Sequence, residues 1–227
     1  GKVVKNAAGF DLPKLMVGSL GQYGLLTEMS FKVFPHPEGY LTVRASFATL
    51  PEALEAMRRV YVAPLDVDAL DLLPAEPDGV QVVVRLGGLI SVLAGRASRI
   101  LALLGGGQIA PDLIEEESWR AAREFTWVPS GWALIKVPLT PARLPALEAA
   151  LASVPSKRRY SLGGNLAWLA LPPEQVAGLD ALLSQQGLAG LLIFGAAGQP
   201  LLGKRTGQAF NQRIKTALDP AGRFPTL

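Results

Sequence analysis

The chain has 227 residues and a formal net charge of +3, with 49% apolar and 18% charged residues. That balance builds a sizeable buried core and excludes a disordered chain, and the small, dispersed charge excess points to no nucleic-acid surface. With no cysteine and one histidine, disulfides, iron–sulfur ligation, thiolate catalysis and a multi-histidine metal site within this chain are excluded.

The first residue is Gly1 and no basic-then-apolar leader follows, which reads as a piece of a longer or processed chain. Residues 1–35 are dense in glycine, with Gly9, Gly18, Gly21 and Gly24 close together. From Thr27 to Phe34 polar and apolar residues alternate, the pattern of a half-buried strand. Pro35-His36-Pro37-Glu38-Gly39 breaks the chain, and a domain boundary is placed at residue 38. His36, held between two prolines, reads as a linker residue rather than a base.

Beyond the break, alternation predicts a strand over 40–48, a helix over 51–62 with Pro51 in its first turn, and strands over 67–73 and 79–86. A helix over 90–104 stops at Gly105-Gly106-Gly107, and 108–114 reads as an edge strand. A connecting helix over 115–125 carries Trp119. The same order then returns. A strand over 131–139 precedes a helix over 140–154 capped by Thr140, then come strands over 159–162 and 165–171, a helix over 173–186 and a buried strand over 188–194. The uncharged stretch 181–203 is long enough to span a membrane, but its glycines, Pro200 and glutamines predict a helix end, a strand and turns. Lys157-Arg158-Arg159, the densest basic run, reads as a solvated loop. A last helix over 207–218 ends at the turn signal Asp219-Pro220-Ala221-Gly222.

Each half follows the strand-helix-strand-strand-helix-strand order of a ferredoxin-like unit. The predicted fold is α+β: two ferredoxin-like βαββαβ units over 39–206, joined at their edges into one antiparallel sheet with helices on one face. Residues 1–38 precede them and a helix with tail over 207–227 follows.

The glycine-rich opening carries the most chemistry. Gly18-Ser19-Leu20-Gly21-Gln22-Tyr23-Gly24 can present backbone N–H groups to a phosphate or to the edge of a planar ring. Its spacing matches neither the P-loop nor the dinucleotide fingerprint, and a structural loop between helix and strand explains it about as well.

The segment Lys5-Asn6-Ala7-Ala8-Gly9-Phe10-Asp11, then Gly18-Ser19-Leu20-Gly21-Gln22-Tyr23-Gly24-Leu25-Leu26-Thr27-Glu28, resembles the end of the flavin-binding domain in vanillyl-alcohol-oxidase-type FAD-linked oxidases. Gly131-Trp132-Ala133-Leu134, Gly163-Gly164-Asn165-Leu166-Ala167-Trp168 and Asp219-Pro220-Ala221-Gly222 resemble segments of the smaller flavoprotein-type subunit of glycolate oxidase.

The resemblance implies FAD as cofactor. Asn6, Gly9, Asp11, Gly18, Gly21, Gly24, Leu25, Leu26 and Thr27 would lie on the cofactor side. For Asp11 the competing role is the cap of a short helix. It also implies that residues 1–38 belong to a flavin domain to which the helix over 207–227 returns, and that 39–206 form the substrate domain. The implied activity is oxidation of glycolate or another 2-hydroxy acid, in a complex with a catalytic flavoprotein subunit and an iron–sulfur subunit. The alternative is a non-catalytic structural or assembly subunit of that complex. The implied location is cytoplasmic, with the complex as the route to the inner face of the membrane. This sequence departs from the family by ending in Phe224-Pro225-Thr226-Leu227 and by lacking a histidine cluster. Arg85, Lys136 or Arg159 would supply the cation for a substrate carboxylate, and no residue stands out as a base.

Overall fold

A computed structural model describes residues 11–74, 79–110 and 112–226, and of residues 112–114 the backbone alone. The chain divides into two compact units: residues 1–35 with 205–227, and residues 36–204.

In the first unit, α1 (Leu12–Met16) is capped by Asp11, whose carboxylate accepts from the N–H of Lys14 at 3.2 Å. Residues 27–34, expected as a half-buried strand, pair with no strand among the described residues. Met29, Phe31, Val33 and Phe34 are exposed there. Alternation alone does not make a strand; it needs a neighbouring ladder, and none of the described strands supplies one.

The second unit holds one antiparallel sheet with, among the described residues, nine strands. Its first half runs β1 (Gly39–Phe47), α2 (Leu50–Val62), β2 (Ala69–Pro74), β3 (Val80–Gly88), α3 (Ile90–Leu104) and β4 (Gln108–Ile109). Then comes α4 (Asp112–Glu124). The second half runs β5 (Ala133–Pro138), α5 (Leu144–Ala150), β6 (Lys157–Ser161), β7 (Leu166–Leu171), α6 (Val176–Gln185) and β8 (Ala189–Phe194), with β9 (Leu201–Gly203) added at the edge. The helix α7 (Gln208–Leu218) belongs to the first unit.

The strand order is β4-β1-β3-β2-β6-β7-β5-β8-β9. Each half has the ferredoxin-like order, and the halves meet edge to edge at β2 and β6. Strand alternation assigns the two faces. Val43, Leu72, Val84, Ile135, Tyr160 and Leu169 point to one face, where they pack with Met57, Ile100, Leu147 and Leu183 from α2, α3, α5 and α6. Thr49 begins α2 with a full capping box, its side chain and that of Glu52 each accepting the other's N–H. Thr42, Arg44, Asp71, Arg85 and Arg159 occupy the intervening positions and face the other side. That side is covered in part by α4, whose Trp119 donates to the Thr42 hydroxyl at 2.8 Å.

Four expectations change. The helix over 140–154 is a 3-10 turn, Pro141–Arg143, followed by α5, and the Thr140 side chain makes no cap. Pro145 has no N–H for the carbonyl of Pro141, so the α-helical ladder restarts there. Residues 112–114, read as the end of a strand, begin α4. The strand over 188–194 is half-exposed rather than buried, because Ile193 and Phe194 lie beyond the cover of the helices. Lys157-Arg158-Arg159 is β6 rather than a loop: alternation sends Arg158 to Glu148 on the helix face and Arg159 to Asp71 on the other.

Leu72 sits at the junction of the halves, opposite Tyr160, and is 1% exposed. Leu72→Ala is expected to lower stability by about 3 kcal/mol, from lost burial plus a residual cavity, measured as a shift in denaturation midpoint at constant slope.

Candidate functional site

The glycine-rich loop of the first unit follows α1. Gly18 and Gly21 both adopt φ +78°, and a Cβ at either would meet no atom within 4 Å. Leu20 between them is held at φ +51°, a left-handed conformation that costs a branched residue energy. Tyr23 is buried, while Gly18, Gly21, Leu25, Leu26 and Thr27 are exposed and Gly24 is half-buried. The N–H groups of residues 24–27 make no hydrogen bond among the described residues. Asn6 and Gly9 lie outside the described residues.

The loop is clamped by α7. Tyr23 donates its hydroxyl proton to Asn211 at 3.2 Å, and Lys215 Nζ donates to the carbonyl of Gln22 at 2.9 Å. The same ammonium donates to the carbonyl of Phe224 at 2.7 Å and to the Asp219 carboxylate. Asp219 also accepts from the N–H groups of Arg223 at 2.8 Å and Phe224 at 2.9 Å. The Lys215 hydrogen bond, followed by those two, pulls the Asp219 carboxyl down to about 2.

The second unit carries a cleft of about 320 Å³ on the sheet face away from α2, α3, α5 and α6. Arg85 and Arg159 line it, with Trp119, Phe125, Leu162 and Trp168 as apolar walls. Arg85 binds Glu115 through Nε at 2.7 Å, and its guanidinium stacks on Tyr40 at 3.8 Å. Arg159 binds Asp71 through Nε at 2.7 Å and lies 5.1 Å from the Trp119 ring. Burial pushes the Asp71 carboxyl up, against the opposing pull of Arg159. Arg44 stands close enough to Arg159 and Glu115 to feel both charges, and burial lowers its pKa. Its Nε and Nη2 are buried without a hydrogen-bond partner among the described residues. Arg85 and Arg159 are thus each paired with a carboxylate, and Arg44 stands near them without lining the cleft.

Asp68, at the rim, fits because position 87 is glycine: a Cβ there would come within 2.1 Å of its Oδ2. Phe125 at φ +57° packs its ring on Trp168 at 4.9 Å, and Leu162 stands at φ +56° with its side chain exposed. Among the described residues, the non-glycine positions with positive φ are Leu20, Phe125 and Leu162. All of them sit in the loop or the cleft. Of the cations expected from the sequence, Arg85 and Arg159 come together here. Lys136 lies on the same sheet face, 5.9 Å from the Trp168 ring, and does not line the cleft. Arg44, Asp68, Asp71 and Glu115 were not singled out in the sequence. The signal for Arg44 was its place two residues from Thr42 on the polar register of β1.

No family model matches the chain. The chain is 31% identical to the glycolate oxidase subunit GlcE of Escherichia coli over 99% of its own length and 58% of that protein's. It is 34% identical to the glycolate oxidase subunit GlcD of Bacillus subtilis over 32% of its length and 16% of the relative's. It is 30% identical to an FAD-linked oxidoreductase of Mycobacterium tuberculosis over 32% of its length and 16% of the relative's. Its homologues are FAD-linked oxidoreductases. A solved structure of alkyldihydroxyacetonephosphate synthase shares the fold, with a TM-score of 0.59 at 14% identity over 96% of this chain and 50% of that one. The chain therefore resembles the glycolate oxidase subunit GlcE along nearly all of its length, and it spans little more than half of that relative.

The clamp between α7 and the loop depends on an ionised Asp219. Because its folded pKa is depressed to about 2, its contribution is present above the unfolded value and fades as pH falls through that interval. Asp219→Asn is expected to lower the melting temperature at pH 7, with the gap to the native protein closing as pH approaches 2.

Proposed function

We propose that this chain forms part of the FAD-binding subunit of a glycolate-oxidase-type complex, which oxidises a 2-hydroxy acid to the 2-oxo acid. Residues 1–38 and 207–227 contribute to the flavin domain, and residues 39–206 form the substrate domain. The complex includes a catalytic flavoprotein subunit and an iron–sulfur subunit, and it works in the cytoplasm, at the inner membrane face. The observation that carries the reading is the similarity to GlcE along 99% of the chain, together with two guanidiniums, those of Arg85 and Arg159, in the cleft wall.

The loop fits FAD at an uncharged edge. Gly18 and Gly21 leave open space where side chains would stand, and the N–H groups of residues 24–27 are unspent. Residues 18–27 include no charged side chain, so this loop offers hydrogen bonds to the cofactor and no charge against its pyrophosphate. Asn6, Gly9, Asp11, Gly18, Gly21, Gly24, Leu25, Leu26 and Thr27 are assigned to the cofactor side. FAD held there would supply the acceptor for the two electrons and the hydrogen of the substrate's hydroxyl-bearing carbon.

In the cleft, Arg85 and Arg159 keep Nη1 free of the hydrogen bonds that hold Glu115 and Asp71, and these ends receive the substrate carboxylate. Asp68 is the cleft carboxylate without a cation partner among the described residues, and it takes the hydroxyl proton. A structural subunit without redox chemistry is the second reading. It is favoured by the pairing of Asp71 and Glu115 to arginines, which leaves neither as a base.

The complete subunit, purified with its partners, is expected to show a flavin spectrum that bleaches when a 2-hydroxy acid is added without oxygen. Arg85→Lys keeps the charge and removes the planar fork, and it is expected to raise KM about tenfold or more, the loss of one charge-assisted hydrogen bond. A colourless subunit that still restores activity to the complex establishes the structural reading instead.

A further inference from the structure

The cleft is larger, and more aromatic, than the smallest 2-hydroxy acid requires. Its volume of about 320 Å³ lies at the low end of the range for small-molecule clefts. The two arginines stand on one part of its wall, and Trp168, Phe125 and Leu162 make another. Two of those apolar residues are kept in a left-handed backbone conformation, Phe125 at φ +57° and Leu162 at φ +56°. Bulky side chains pay for that conformation, and such strain persists where the surrounding structure holds it in place. Leu162 is 66% exposed, an apolar side chain kept at the cleft rather than in the core. The Nη1 ends of Arg85 and Arg159, which their ion pairs with Glu115 and Asp71 do not use, suit a single anionic group.

We infer that the cleft takes a monocarboxylate carrying an aromatic or large apolar side chain, with its carboxylate on Arg85 and Arg159 and its apolar body against Trp168, Phe125 and Leu162. Glycolate fills only the polar end. The inference rests on the 2-hydroxy-acid reading for the identity of the acid's second polar group, and on the cleft alone for its charge and its apolar body. A ring laid against the Trp168–Phe125 pair, whose own rings already meet at 4.9 Å, gains apolar burial and an edge or offset contact.

Calorimetric titration of the 227-residue chain with glycolate, 3-phenyllactate and 3-phenyl-1,2-propanediol tests this. Phenyllactate is expected to bind at least about tenfold more tightly than glycolate, a modest return for a buried ring. The uncharged diol is expected to bind at least about tenfold more weakly than phenyllactate, because it leaves the arginines without an anion. Equal affinity for glycolate and phenyllactate, or tighter binding of glycolate, overturns the inference. So does a diol that binds as well as the acid. Trp168→Leu is expected to narrow the phenyllactate preference. The oxidase reading fails separately: tight phenyllactate binding in a complex whose flavin no 2-hydroxy acid reduces refutes that reading and leaves this one standing. Flavin reduction by glycolate without discrimination in binding does the reverse.

Discussion

The sheet depends on one seam. At β2 and β6 the two ferredoxin-like halves meet through a single paired position, Leu72 opposite Tyr160. On the helix face that pair is buried apolar surface. On the other face Asp71 receives Arg159 at 2.7 Å and the Ser161 hydroxyl at 3.1 Å. The N–H of Gly163 adds a bond to the carbonyl of Leu70 at 2.8 Å. A buried ion pair is weak evidence for net stability, but breaking it by removing one partner leaves an uncompensated charge. It therefore fixes how the halves align more than it adds to the total. The alignment has a chemical consequence, because it brings Arg159 from the second half beside Arg44 and Arg85 from the first and so assembles the cluster along the cleft.

Much of the architecture was legible in period-two patterning and turn residues. The duplicated order of strands and helices could be read without any relation between the halves at the level of identity, because each half had to bury one face of each strand under two helices. The additions and failures have physical causes. Strand β9 is short, and its sequence lies inside an uncharged run whose glycines signal turns more strongly than its apolar residues signal a strand. The run 27–34 alternates like a strand, yet alternation says nothing about whether a partner strand is at hand. The basic triplet in β6 looked like solvent-facing charge because composition carries no information about the register that separates Arg158 from Arg159.

The site was legible in part. Glycine spacing located the loop, since Gly18 and Gly21 do take positive φ, but the clamp on it was hidden: Lys215 and Gln22 lie far apart in sequence and meet only in the fold. Arg85 and Arg159 were named, with Lys136, as cations for a substrate carboxylate, and the fold brings the first two together. Their counterions Glu115 and Asp71 come from other elements, and the unpaired member, Arg44, becomes visible only when all the charges are placed together. Backbone strain at Leu20, Phe125 and Leu162 has no sequence signature, because leucine and phenylalanine are ordinarily read as core residues.

The Asp71–Arg159 pair couples the two halves of the sheet and holds the cluster in register. A double-mutant cycle on denaturant stability with Asp71→Asn, Arg159→Met and the combined variant tests it most directly. Each single change is expected to cost about 3 kcal/mol, and the double change far less than their sum, with a coupling of about 2 kcal/mol or more. Single effects that add within about 0.5 kcal/mol would show that the seam is held by Leu72 and Tyr160 alone and would contradict the account.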